Sequence, residues 1–232
     1  INKVIDFIKL FMHMIINKLT SIENEIQSDI KKYLPLKTNQ QIIAVSKTFP
    51  INDIIPLIKH GQLHFGENKV QEAIEKWTDI KLENKDIKLH MIGKLQTNKT
   101  KHALKLFDYI HSLDNLKLAK KISIEQKKNE KKIKLFIQVN IGNEIQKNGI
   151  HPEKVDEFYN ICKRDLNLDI IGLMCLPPKN LTPEVYFSQM NILKKKIGLT
   201  ELSMGMSSDY LEALKHEATF LRIGSKIFGN RV

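Results

Sequence analysis

Lys47 is the residue of this sequence best placed to do chemistry. It ends the run Ile42-Ile43-Ala44-Val45-Ser46-Lys47, four apolar residues followed by Ser and Lys, and Pro50 blocks any further extension. A short continuous apolar run bounded by a breaker predicts a strand buried on both faces. The lysine then lies at the strand's carboxyl end, where parallel α/β folds bind ligands. A poorly solvated amine in such a place becomes a nucleophile toward carbonyls. The same placement also suits a lysine that snorkels to the rim of the core.

Two later stretches carry the residue types of an anion cradle. Leu202-Ser203-Met204-Gly205-Met206-Ser207-Ser208-Asp209 and Leu221-Arg222-Ile223-Gly224-Ser225 each run an apolar strand into Gly and Ser. Glycine lets the backbone approach a ligand, serine adds a donor, and helix-start amides favour an anion. Tight strand-to-helix turns prefer the same residues, so a phosphate cradle and a pair of plain turns both fit. Taken together, an amine at one strand end, a phosphate cradle and Arg222 suit pyridoxal 5′-phosphate, with Lys47 holding its aldehyde as a Schiff base. Other patterns fail. Gly93-Lys94 is followed by Leu rather than Ser or Thr, and His216-Glu217 lacks the second histidine of a zinc-protease helix. His60, His64, His90, His102 and His111 show no paired spacing for a metal and read as packing or surface residues; no metal is expected.

The elements that must position these residues alternate regularly. Strands are predicted over residues 42–46, 63–66, 88–92, 109–113, 134–140, 169–174, 201–204 and 220–223. Helices are predicted between them over residues 51–60, 69–79, 98–107, up to 127 from an N-cap at Asp114, 152–164, 183–197 and 208–215. Eight βα units at this spacing predict an α/β fold, one (β/α)8 TIM-type barrel closed by right-handed crossovers. Ahead of it, Val4, Ile5, Ile8, Phe11, Met12, Ile15, Ile16 and Leu19 recur at helical spacing and continue through Ile22, Ile26 and Ile30. Residues 1–34 are therefore expected to form an added amphipathic helix, and residues 35–232 the barrel. Asp6, Lys9, His13 and Lys18 break the apolar run, which argues against a signal peptide. The first dozen residues are expected to be an extension beyond the native start.

Composition fits this picture. Hydrophobic residues make up 42% and charged residues 27%, a soluble globular balance. The net charge of +11 raises a nucleic-acid or membrane-surface partner. The lysines are dispersed, however, and the densest run, Lys127 to Lys134, holds no interleaved aromatic and reads as a solvated turn. Neither nucleic acid nor membrane is expected as a partner. Cys162 and Cys175, without CxxC spacing, fit a reducing cytoplasm.

From Ile42 to Arg231 the chain resembles the pyridoxal phosphate homeostasis (PLP-binding) proteins, related to the N-terminal barrel of alanine racemase. The carriers are Ala44-Val45-Ser46-Lys47, His64-Phe65-Gly66-Glu67-Asn68 with Gln71-Glu72, and His90-Met91-Ile92-Gly93-Lys94-Leu95-Gln96 with Asn98-Lys99. Further on they are Gln138-Val139-Asn140-Ile141, Gly172-Leu173-Met174, the strand 7 and 8 motifs quoted above, and Ile227-Phe228-Gly229. The resemblance implies Lys47 as Schiff-base lysine and Arg222 facing the pyridine nitrogen. It places Ser207, Gly224 and Ser225 on the phosphate and Asn68 beside the ring. One departure lies at Lys215-His216-Glu217-Ala218-Thr219, where the family commonly has a glycine before the last strand; this puts the turn's conformation in doubt.

The function expected is PLP homeostasis and delivery without substantial catalysis, by a monomer, with apo enzymes that require PLP as recipients. Alanine racemase takes its second base from a further domain, and the sequence here ends soon after the last strand. An arginine opposite the ring nitrogen leaves that nitrogen unprotonated, which weakens the electron sink. Lys147, in the loop after the fifth strand, supplies an amine for transfer if that loop folds over the mouth, and is otherwise a solvated lysine. A racemase-like PLP enzyme acting as the barrel alone is the alternative, and a basic nucleic-acid-associated barrel is a third reading.

Overall fold

The computed structural model describes residues 2–33, 40–178 and 181–229, with side chains described from residue 12 onward. The expected side chains of Val4, Ile5, Ile8 and Phe11 and the expected boundary at residues 34–35 lie outside that set. The first element is the helix α1 (Asn2–Tyr33). Then strands and helices alternate: β1 (Gln41–Val45), α2 (Ile51–Lys59), β2 (His64–Glu67), α3 (Val70–Glu83), β3 (Lys88–Met91), α4 (Thr100–Leu106) and β4 (Tyr109–Leu113). They continue as α5 (Leu116–Asn129), β5 (Lys134–Val139), α6 (Val155–Asn160), β6 (Asp169–Cys175), α7 (Pro183–Ile197), β7 (Glu201–Met206), α8 (Tyr210–Lys215), β8 (Phe220–Ile223) and α9 (Ser225–Phe228). The eight strands pair in chain order into a closed barrel, with Ile42 of β1 opposite Leu221 of β8 and Ala44 opposite Ile223. This is the (β/α)8 TIM-type fold the alternation predicts.

The strand period of two sorts side chains into two cores. Ala44, Phe65, Leu89, Ile110 and Leu135 face outward and pack under the helices with Trp77, whose ring lies 4.9 Å from that of Phe65. Ile43, Tyr109, Phe136, Met174 and Phe220 form a separate cluster inside the ring. That interior also holds His90, His111, Ser203 and Arg222, all buried, where barrels of this kind usually carry aliphatic layers.

Helix α1 lies against α2, α8 and α9. Its stripe of Ile15, Leu19, Ile22, Ile26 and Ile30 is fully or almost fully buried. Each such side chain stabilises by roughly 1.5–3 kcal/mol over exposure, so this face is integral to the domain. Beside it, the Glu25 carboxylate accepts from the Tyr210 hydroxyl and from Lys226 Nζ at 2.9 Å. These hydrogen bonds hold Glu25 below its usual carboxylate range, against the opposing effect of burial. Among the described residues, no helix is long and apolar enough to cross a membrane.

Local departures from the predicted elements have physical causes. The N-cap of α5 is Asn115 rather than Asp114, its side chain accepting from Leu118 N at 2.9 Å. The helix expected over 152–164 is a short 3-10 turn, then α6, then a π turn over Ile161–Asp165. In the Lys127–Lys134 run, the Lys131 amine donates to Phe107 O at 3.2 Å and Lys134 lies over the Tyr109 ring, so the run is not wholly solvated. The turn before β8 answers the question its missing glycine raises. Glu217 takes the left-handed conformation, φ 65°, and is ion-paired with Lys194 at 3.0 Å and Lys195 at 2.8 Å on α7. Two ion pairs, one of them shielded, offset a strain that costs on the order of 1–3 kcal/mol.

Candidate functional site

Lys47 follows Ile43 and Val45 on the inward parity of β1, and it sits half-buried at the carboxyl mouth of the ring. The intervening Ser46 points the other way and donates to the buried Glu67 carboxylate at 2.7 Å. Glu67 also accepts from Trp77 Nε1 at 3.0 Å and Lys76 Nζ at 3.0 Å, and Lys76 reaches Ser46 O at 3.0 Å. The end of β1 is thus clamped by a shielded ion pair on its outer side. The next residue, Thr48, has φ 69°, which is costly for a β-branched side chain. Its N–H donates to Glu72 Oε1 at 2.7 Å. Burial alone would raise the Glu72 carboxyl, but the Thr48 N–H and Lys76 outweigh it and hold the group below its usual value. A hydrogen bond to a charged group is worth roughly 1.5–3 kcal/mol, enough to offset the turn. Glu67 and Glu72 appear in the motif read from sequence; Lys76, one helical turn beyond Glu72, was not singled out there.

Arg222, on the inward face of β8, is only 5% exposed. Its guanidinium donates to Ser203 Oγ at 2.6 Å and to Cys175 O at 2.9 Å. Burial draws it below the usual guanidinium range, yet a guanidinium keeps its proton in proteins. Behind Ser203 a line of hydrogen bonds crosses the barrel interior. Ser203 Oγ meets His111 Nδ1 at 2.8 Å, His111 Nε2 meets His90 Nδ1 at 2.9 Å, and His90 Nε2 meets His64 Nδ1 at 2.9 Å. These three histidines are neither isolated packing residues nor surface residues, contrary to the sequence reading. Burial pushes His90 and His111 well below the usual histidine range and His64 down to about 4. No spacing in the sequence reveals the line, because its members sit on separate strands.

Asn68 follows β2, and its Oδ1 is buried without a hydrogen-bond partner. It is held by Gly93, after β3, where an added Cβ would lie 2.3 Å from Asn68 O and 2.8 Å from Asn68 Cα. Gly93→Ala must therefore displace one backbone or the other. The expected loss is about 1–3 kcal/mol of stability, measured by urea denaturation. A midpoint unchanged from the parent would contradict the contact.

On the far side of the mouth, Gly205 takes φ 87° and turns β7 toward Ser207. The Ser207 Oγ receives the N–H groups of Gly224 and Lys226, both at 3.3 Å, so hydroxyl and amides converge at the start of α9. Sequence reading found Gly224 and Ser225 but not the short helix they open. Lys47, Asn68, Ser207, Arg222, Gly224 and Ser225, named separately from sequence, all line one cavity of about 660 Å³. Lys147 is not part of its lining. Its amine pairs with Glu144 and donates to Pro177 O at 3.3 Å, which ties the loop after β5 to the loop after β6. Cys162 and Cys175 are buried free thiols pushed up to about 12, and neither is a nucleophile at neutral pH.

The family profile described as alanine racemase, N-terminal domain, matches residues 19–232. A Vibrio cholerae serotype O1 protein named pyridoxal phosphate homeostasis protein is 34% identical over 230 residues, 95% of this chain and 98% of its own. PipY of Synechococcus elongatus PCC7942, solved with PLP bound, is 34% identical with a TM-score of 0.80, over 93% of this chain and 100% of its own. The alanine racemase of Clostridium difficile 630, 15% identical, has a TM-score of 0.66 over 90% of this chain and 56% of its own, and shares the fold.

Proposed function

This chain belongs to the family of pyridoxal phosphate homeostasis proteins, and from that premise we propose that it binds pyridoxal 5′-phosphate in the Lys47 cavity and stores and delivers it in the cytoplasm. The residues present fit the group. An orphaned Asn68 Oδ1, an anion-sized convergence of Ser207 Oγ with the Gly224 and Lys226 amides, and the Arg222 guanidinium surround the mouth at which Lys47 stands. When bound, the cofactor supplies an aldehyde that captures amines and an aromatic ring that can withdraw electrons.

Each side chain then has a task. Lys47 holds the aldehyde carbon covalently as a Schiff base. Ser207, Gly224 and Ser225 bind the phosphate, and Asn68 lies beside the ring. Arg222 donates to the ring nitrogen and, having no proton to lose, leaves that nitrogen unprotonated. The observation that carries the non-catalytic reading is the cavity lining. Among its described residues only Lys47 and Arg222 are ionisable, and arginine does not exchange its proton. Racemisation needs an acid or base on each face of the substrate carbon, each contributing roughly 10²–10⁴-fold. The test is to mix cofactor-loaded protein with an apo enzyme that requires PLP and to follow that enzyme's recovery. Recovery no faster than with free cofactor plus a scavenger would remove delivery. Exchange of the alanine α-proton at ordinary enzyme rates, about 1–10³ s⁻¹, would favour the racemase-like alternative.

The phosphate assignment makes its own prediction. Replacing Ser207 and Ser225 together by Ala removes two hydrogen bonds to a charged group, each worth roughly 1.5–3 kcal/mol. Affinity for pyridoxal phosphate is expected to fall by at least about 100-fold, while that for unphosphorylated pyridoxal changes little. Equal losses for both ligands would contradict the role.

A further inference from the structure

The line of histidines inside the ring has only one consistent sense. A guanidinium donates and never accepts, so Ser203 Oγ must receive the Arg222 N–H. The Ser203 hydroxyl proton then needs an acceptor, and the fully buried serine meets His111 Nδ1 at 2.8 Å. His111 consequently carries its proton on Nε2 and donates to His90 Nδ1; His90 does the same toward His64 Nδ1. The opposite sense would leave the serine proton without a partner in a site closed to water, which costs about 1–3 kcal/mol. His64, half-buried, ends the line at a cleft of about 290 Å³ at the base of the ring, lined by Glu23 of α1 with Gln41 and Gln62.

This sense has an electrostatic consequence. Every Nδ1 lone pair points toward Arg222 and every N–H points away from it. The imidazole dipoles therefore add up with their negative ends toward a buried cation, as carbonyls do at a helix C-terminus. Arg222 benefits from such help, because among the described residues its hydrogen-bond partners are a hydroxyl and a carbonyl, neither of them charged, and the Asp209 carboxylate acts on it through its field rather than by a hydrogen bond. A carboxylate hydrogen-bonded in place of that hydroxyl or carbonyl would have neutralised the guanidinium.

We propose that Ser203, His111, His90 and His64 are positioning residues for the ring-nitrogen subsite: a one-way hydrogen-bonded wire that orients the Arg222 guanidinium and stabilises its charge where no carboxylate is hydrogen-bonded to it among the described residues. The proposal rests on the reading that Arg222 meets an aromatic nitrogen acceptor of the bound cofactor. An uncharged wire, unlike a paired carboxylate, leaves the guanidinium's net charge in place for that acceptor. It also explains why an aliphatic interior, which packs more simply, is absent along this line.

The test begins without cofactor, on ¹⁵N-labelled protein, by long-range proton–nitrogen correlation of the histidine rings. Of the 8 histidines, three are expected to stay neutral from about pH 8 to pH 6, all with the proton on Nε2. An Nδ1-protonated form of any of the three would overturn the wire. Ser203→Ala removes the link to Arg222; His111 is expected to lose its fixed tautomer and PLP affinity to fall about tenfold or more. Ser203→Thr is expected to restore both. Should Ser203→Ala not fold, His90→Leu cuts the line one step further from Arg222, beside the stacked Tyr109 ring; His64 is then expected to lose its fixed tautomer while His111, still receiving the Ser203 proton, keeps its own, and PLP affinity is again expected to fall. Unchanged tautomer and affinity in the variant that folds would reduce the line to packing and sink the proposal. Because the tautomers are read in cofactor-free protein, they decide the wire even if the unaltered chain takes up no PLP, a result that would instead overturn the cofactor reading.

Discussion

Lys47→Ala is expected to abolish the adduct that borohydride fixes between this protein and pyridoxal phosphate. The chain carries 37 lysines and arginines, so selectivity must come from placement. Among the described residues Lys47 is the lysine lining the cavity, on the inward parity of β1, and the strand end behind it is clamped by Glu67, Glu72 and Lys76. On the proposed reading the amine would attack the aldehyde carbon with loss of water, and reduction would lock the resulting bond. Peptide mapping should place the pyridoxyl group on Lys47 in the parent protein and find none of it there in the variant. Lys147→Ala, which alters a loop lysine outside the cavity, should leave the adduct intact. A label found chiefly on another lysine of the parent would sink the assignment. The variant should fold, since the clamp on Ser46 and Thr48 runs through backbone atoms and the Ser46 side chain rather than through the Lys47 amine.

The second large effect is acid instability. In the folded protein His64 protonates only near pH 4, and His90 and His111 lie well below the ordinary histidine value, chiefly because burial disfavours the charged ring. In the unfolded chain all three take up protons near pH 6.5. Their neutral native state therefore contributes stability that is fully present above about pH 6.5 and is lost as pH falls toward the folded values. Each such group costs about 1.4 kcal/mol per pH unit in that window, so three acting together approach about 4 kcal/mol per unit. Against a total of roughly 5–15 kcal/mol, this is enough to unfold the domain between about pH 5 and pH 4. Denaturant midpoints measured at half-unit steps should fall steeply from pH 6.5 downward, and the slope in His90→Leu should be shallower by one proton. A midpoint flat from pH 7 to pH 5 would show that these rings do not stay neutral.

Much of the architecture was legible because each βα unit writes its own signals. An apolar run ending in a charge gives the strand end, Gly and Ser give the turn, and the period of three to four gives the helix. Lys47, Arg222 and the Gly224-Ser225 pair lie at those strand ends, so the order of the units already implied their meeting. What stayed hidden depends on register across the ring. His64, His90 and His111 become neighbours only because β2, β3 and β4 pair with offsets that no single strand encodes, His90 standing opposite Gly66 on one side and Tyr109 on the other. Capping was hidden for a different reason. Asp114 and Asn115 are equally good caps by type, and only the backbone angle of Asn115 decides between them.

The ring closes through its two ends: β1 leads into Lys47, β8 carries Arg222 and runs into Ser225, and the hydrogen bonds between β1 and β8, like those between β7 and β8, wait until the eighth strand has been made. On the proposed reading, a chain emerging from the ribosome thus has its Schiff-base lysine long before its phosphate cradle. A cofactor bound in that way would not template early folding; it would act as a late staple across the seam. Ligand at about 100 times its dissociation constant would add some 2.7 kcal/mol to the closed ring, so cells short of it should hold more of this protein open at that one joint and more of it exposed to proteases.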